Sequence, residues 1–338
     1  MHELDANPAS VHWGYFDRAL APVLTVASGD TVAVRTVTHH SGDAPELMMD
    51  DAVRALFHGV PPAERGPGPH VLTGPIAVDG ALPGDVLEVR IRSLEPRFGH
   101  GSNLAANWGH LYPDFGKERV TIWSVDPASG TARAELAYDW KTTPIVDAPG
   151  TVVPPGSVPR EAVAREMVVP LRPHLGTVGL APAAPGRHSS VPPGDHGGNI
   201  DNWRAGPGTS YFLPVQVPGA LLSMGDPHMA QGDAELSGTA LEASLDAVVE
   251  LHLRPDVAWT VPVLETPTHW HVHGFGDTLD DAMRATARRV LRFLEQTWEL
   301  GADDAYSLAS VGVDFAVTQV VDRRIGVHGM VAKDLVGG

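Results

Sequence analysis

Turn-forming dipeptides set between short apolar runs limit what this chain can fold into more than any other feature. Asp79-Gly80, Pro83-Gly84, Ser129-Gly130 and Pro218-Gly219 each separate stretches rich in Val, Thr, Leu and Ala. Residues 22–38 alternate Val, Thr and Ala with polar residues around Ser28-Gly29-Asp30, which reads as a hairpin. Two further β runs lie within 70–95, and 118–140 continues in the same style around Ser129-Gly130. Residues 208–223 and 237–254 read as strands, with Pro214–Val217 and Leu221–Ser223 on either side of a turn. Gly 36 and Pro 30 are both enriched but follow no period, so the chain reads as many short elements joined by tight turns.

One segment departs from this pattern. From Thr278 to Leu300, Leu279, Met283, Ala287, Val290, Leu294 and Trp298 recur at helical spacing. Thr278 or Asp277 can cap its start, and Asp280 and Asp281 suit the first turn. A second short helix is expected over 303–309 and a last strand over 313–321. From Pro144 to Pro193 the chain reads as long ordered loops with a short strand near Met167–Pro170. The expected class is mostly β with one long helix at 278–300. Its expected division is a β domain over 1–150 and a β-rich domain over 151–338, or one intertwined unit.

A formal charge of -17, from 24 basic and 41 acidic residues, argues against nucleic acid and anionic membranes as partners. No apolar run is long enough to span a bilayer, and the N-terminus lacks a signal-peptide pattern. The expected compartment is the cytoplasm. Having no cysteine, the chain has no disulfides, thiolate metal ligands or cysteine nucleophile.

The densest polar constellation runs from Pro193 to Glu242. Its first part offers Asp195, His196, Asn199 and Asp201 around Gly197-Gly198, and its second offers Asp226, His228, Gln231, Asp233, Glu235 and Glu242. If 226–228 is extended, Asp226 and His228 share a face. Carboxylates and imidazoles without thiols suit a divalent cation, which polarises a carbonyl and lowers the pKa of water. The same residue types also cap turns and bind nothing.

His269, His271 and His273 form a second candidate, three imidazoles at strand spacing such as a cupin-like barrel uses, although no Glu follows. His70 opens a strand and is a candidate ligand, whereas His39, His40, His58, His100 and His110 read as solvated or structural. Other schemes fail for want of parts. Ser189-Ser190 is followed by Val-Pro-Pro, the only lysines are Lys117, Lys141 and Lys333, and no nucleophile elbow or phosphate loop is present.

Several stretches resemble the acetamidase/formamidase family: 11–17 (VHWGYFD), 72–91, 170–182, 196–202 (HGGNIDN), 214–235 and 319–333. The resemblance implies a jelly-roll-like part and a barrel-like part. It also implies hydrolysis of formamide, acetamide or a small lactam, by a homo-oligomer. It carries His196, Asn199, Asp201, Asp226, His228, Gln231 and Glu235 into the active-site neighbourhood. The expected roles are metal ligation by Asp226 and His228 with His196 and His70, and proton transfer by Glu235. Asn199 and Gln231 are expected to orient the amide, with Asp201 beside them. The expected ion is Zn²⁺, with Ca²⁺ as the alternative, and the competing reading is a non-catalytic cupin-like binding protein. Ala234 stands where the family pattern has glycine, and the block 97–116 and the His269–His273 stretch stand apart from the resemblance.

Overall fold

The computed structural model describes residues 1–140 and 149–337, so Lys141 and the first part of the loop read from Pro144 lie outside the described residues. The architecture is mostly β, with one long helix near the C-terminus. One sheet has nine strands, running from His2–Leu4 at one edge, through Thr31–Thr36, Leu245–Leu253, Val86–Pro96 and Thr209–Pro214, to Val313–Gln319 at the other. A larger sheet holds Leu222–Ala230 between His174–Gly179 on one side and Val71–Val78 and Leu241–Glu242 on the other. Val32, Val89, Ile91, Val249 and Leu251 of the first sheet share one core cluster with Ile76, Leu175, Leu222 and Met224 of the second.

The run at 22–38 is not a hairpin. Leu24–Val26 pairs in parallel with Val71–Val78, while Thr31–Thr36 joins the other sheet beside His2–Leu4 and Leu245–Leu253. Turn chemistry is the same whether the two arms pair or part. What separates them is burial: Val71–Val78 is buried at every position and recruits neighbours on both edges. By contrast, Glu118–Asp126 and Thr131–Trp140 do pair with each other around Ser129-Gly130.

The helix runs Leu279–Trp298, with the Thr278 side chain accepting from Asp281 N at its start. Its buried face is Ala282, Thr286, Val290, Phe293 and Leu294, so the stripe is rotated from the expected one, and Leu279 and Met283 are exposed. Glycine sets this rotation. A Cβ on Gly276 would meet Ala282 N at 2.3 Å, and one on Gly274 would meet Thr286 Oγ1 at 2.4 Å. The helix therefore lies on the His269–Gly276 strand through its smallest side chains. The short helix spans Ala302–Gly312 and the strand after it Val313–Gln319. Among the described residues, no helix is long and apolar enough to cross a membrane.

Candidate metal and hydrolytic site

Strand register assembles the centre of the site. Leu222–Ala230 is buried throughout and carries Asp226 and His228. His228 lies opposite His174 on one neighbouring strand and opposite Glu242 on the other, so the three stand in a row across the sheet. Asp201 follows the Gly197–Asn199 strand, its N–H bonding to Gly176 O at 3.2 Å. Ala234 bridges to Gln319, which brings the turn holding Asp322 beside Glu235.

Asp201, Asp226, Glu235, Glu242 and Asp322 line a cavity of about 250 Å³ together with His39, His40, His70 and Asn199. His228 Nε2 lies 3.1 Å from Glu242 Oε1 and 3.4 Å from Asp226 Oδ2. Asp201, Asp226, Glu235, Glu242 and Asp322 are all buried. Five buried carboxyl groups need protons or a cation to offset their desolvation, because burial favours the neutral rings of His39, His70 and His174. Burial, then Asp322 and Asp226, push the Asp201 carboxyl well above its ordinary range, and burial likewise raises Glu235 and Asp322. Burial also opposes ionisation of Asp226, but His70 and His228 hold its carboxyl below that range. For His228 burial favours the neutral ring, yet Glu242 and Asp226 outweigh it and raise its pKa.

Backbone strain converges on the same residues. Asp201, Asp226 and Glu235 all have left-handed φ, at 50°, 52° and 49°, a conformation side-chain-bearing residues adopt only when the surroundings impose it.

The residues fit a divalent cation. Asp201, Asp226 and His228 offer ligand atoms within 4.8 Å of one another, as do His228, Glu235 and Glu242, and Asp201, Glu235 and Asp322. Both Asp201 carboxylate oxygens and Asp322 Oδ2 are buried without a hydrogen-bond partner, and His228 Nε2 faces only the carboxylates of Glu242 and Asp226. Gly176 leaves room where they meet: a Cβ there would lie 2.3 Å from Asp201 Oδ1 and 2.7 Å from Asp226 Oδ2. The mixed oxygen and nitrogen donors suit Zn²⁺ or a similar ion, and the all-oxygen trio suits a harder one such as Ca²⁺.

Other expected residues fall into distinct places. His70 joins the site, with Nε2 3.7 Å from Asp226 Oδ2 and Nδ1 2.9 Å from Ser190 Oγ. Asn199 lines the cavity while its Oδ1 accepts from Thr177 Oγ1. Gln231 donates through Nε2 to Asp201 O at 2.8 Å, and its Oε1 lies 2.8 Å from His174 Nε2, so its amide group braces the site. His196 lies apart, its ring edge-on to Phe16 at 5.1 Å. The stripe does not converge on one point. His271 Nδ1 sits 3.1 Å from His328 Nδ1, His273 Nε2 sits 3.0 Å from Asn202 Nδ2, and neither ring belongs to a ligand cluster among the described residues.

Residues without an expected role complete the cavity. His39 and His40, read as solvated or structural, are buried and line it. His40 Nδ1 faces Asp43 Oδ2 at 3.1 Å, and Asp43 also accepts from Ser102 Oγ at 2.7 Å. This leaves His40 Nε2 and His39 Nδ1 without hydrogen-bond partners. The adjacent His39-His40 pair was the available sequence signal, whereas nothing local distinguished Asp322.

The sequence model of the Acetamidase/Formamidase family matches residues 7–258. An acetamidase of Mycolicibacterium smegmatis is 33% identical over 202 residues, covering 50% of this chain and 49% of that protein. A formamidase of Methylophilus methylotrophus is 29% identical over 197 residues, covering 50% and 47%. The chain thus spans about half the length of the curated relatives it matches. Among solved structures, an acetamidase of Bacillus halodurans superposes with a TM-score of 0.76 at 25% identity, covering 98% of this chain and 97% of that one. A gamma lactamase of Delftia acidovorans shares the fold, with a TM-score of 0.57 at 20% identity and coverage of 98% and 90%.

Proposed function

Because this chain belongs to the acetamidase/formamidase family, we propose that it hydrolyses a primary carboxamide, formamide or acetamide in the simplest case, to ammonia and the carboxylic acid. The observation that carries this reading is the strained, buried group of Asp201, Asp226 and Glu235 around His228, with Gly176 leaving space between them. Asp201, Asp226 and His228 would hold a divalent ion, and His70 stands beside Asp226. When bound, such an ion supplies Lewis acidity toward water and the amide carbonyl.

The chain's own residues do the rest. Glu235 takes the proton that water loses on attacking the amide carbon and delivers it to the departing nitrogen, so the C–N bond breaks with ammonia as the leaving group. Asn199 and the free nitrogens of His39 and His40 also line the cavity, where they would orient the carboxamide. Gln231 acts through Asp201 and His174 as a positioning residue. The walls are mostly buried, which limits the water that reaches the charges that develop.

The test is ammonia release by purified protein from formamide, acetamide and a small lactam. Turnover of the linear amides is expected. Asp226→Asn and His228→Ala should each lower kcat/KM by more than the roughly 10- to 100-fold typical of groups that only orient a ligand. Failure to release ammonia from any amide would defeat the reading.

A further inference from the structure

A second cavity, of about 580 Å³, lies against the first. Its walls are mostly apolar, from Leu111, Phe115, Trp123, Val169, Leu236 and Leu241, with Lys117, Arg172 and Asp233 also on the lining. Ala105, Ala106, Gly109, Ala230 and Ala240 keep it open by occupying little volume. Ala105, Ala106, Gly109, Leu111 and Phe115 of this wall all come from the block 97–116.

The two cavities share a partition. Glu235 and Thr239 line both. Residues 106–110 are laced to 236–238 by Ala106 N to Ser237 O at 2.9 Å, His110 N to Leu236 O at 3.0 Å and Trp108 Nε1 to Gly238 O at 2.7 Å. Along this loop Ala106 and Gly109 face the apolar cavity, while Asn107 and Trp108 face the polar one. The proton-carrying Glu235 thus stands where a polar chamber sized for a carboxamide meets an apolar chamber of more than twice its volume.

We infer that the apolar cavity receives the acyl portion of the substrate, so that this chain prefers primary amides of larger, uncharged apolar acids to formamide and acetamide. The inference rests on the polar chamber being the amide-hydrolysing site. A cavity of this size is in the range that encloses whole small-molecule ligands, and one or two carbons would leave it unfilled. Leu111, Phe115 and Leu236 are exposed around it, and a bound acyl chain would cover them.

The experiment is a series of kcat/KM values for acetamide, butyramide, hexanamide and phenylacetamide, followed by ammonia. Burial of each methylene should raise kcat/KM about four-fold, giving about two orders of magnitude between acetamide and hexanamide. Ala105→Trp, which fills the cavity, and Phe115→Asp, which charges its mouth, should remove that rise and leave acetamide turnover unchanged. Acetamide turnover with a flat or falling series would overturn the inference and leave the amide reading intact. If no amide is turned over, both fall. If Phe115→Asp instead changes the subunit number in size-exclusion chromatography with the series unaltered, the surface is a contact between copies, and the inference is likewise overturned.

Discussion

Replacing Asp201 with Asn separates a metal ligand from a loop brace, because the two roles predict opposite signs. Asp201 is 1% exposed, and neither of its carboxylate oxygens has a hydrogen-bond partner. Asp322 and Asp226 both press on it with like charge. In metal-free protein, Asn removes that repulsion in nearly the same shape, and it tolerates the left-handed backbone at least as well as Asp. Lifting this repulsion, on the scale of one unfavourable buried polar group, amounts to about 1–3 kcal/mol, which raises Tm by roughly 2–12 °C at about 2–4 °C per kcal/mol for a large domain. In metal-loaded protein the sign reverses. An ion at a thousand times its Kd stabilises by about 4 kcal/mol, worth on the order of 10 °C, and the variant should lose most of that shift. The assay is thermal unfolding of both proteins in chelator and in excess Zn²⁺. If Asp201→Asn lowers the Tm of the stripped protein and leaves the metal-induced shift intact, Asp201 ties down its loop and the reasoning fails.

Gly176→Ala should abolish tight metal binding while the β signature in circular dichroism persists, since its Cβ would enter the space between Asp201, Asp226 and His228; an unchanged metal affinity would contradict this. His12 is buried, with Nδ1 against Tyr15 O and Nε2 against Ser223 Oγ, and burial lowers its pKa to about 4. The folded value lies below the unfolded one, so its contribution is intact above about pH 6.5 and is lost as the pH falls toward 4. His12→Gln should therefore shrink the difference in unfolding free energy between pH 7 and pH 5 by about 2 kcal/mol, measured with urea; an unaltered difference would mean that the ring titrates in the fold. Ala234 sits at φ 82°, so Ala234→Gly relieves roughly 1–2 kcal/mol of strain against about 0.5–1 kcal/mol of added chain entropy and should raise Tm slightly. A clear fall in Tm would show that the Ala234 methyl makes contacts worth more than the strain.

The β character, the capped helix and the polar constellation from Asp201 to Glu235 were legible because local chemistry dictates them. Thr278 caps, Ser129-Gly130 turns, and Asp226 and His228 lie on one buried strand, as their spacing implies. Pairing partners were not legible. Ser28-Gly29-Asp30 looks the same whether it closes a hairpin or passes the chain between sheets. The buried helix face differs from the expected stripe because hydrophobicity alone favours Leu279 and Met283, whereas close packing on Gly274 and Gly276 selects Ala282 and Thr286. In the site, Glu242 arrives by register opposite His228, and Asp322 by a bridge from Ala234 to Gln319. Such long-range pairings leave no local periodicity. His196 sits in a convincing motif beside glycines, yet its ring packs on Phe16, because those glycines admit the ring itself.

In the proposed mechanism one divalent ion, held by the carboxylates and imidazole around Gly176, is needed for amide hydrolysis. Metal content per chain, measured on the same sample as ammonia release from acetamide and hexanamide, tests it most directly. At least one tightly held divalent ion per chain is expected, with activity lost in parallel with its removal and restored on adding Zn²⁺ or another divalent ion back. Undiminished ammonia release from protein stripped of metal would contradict it.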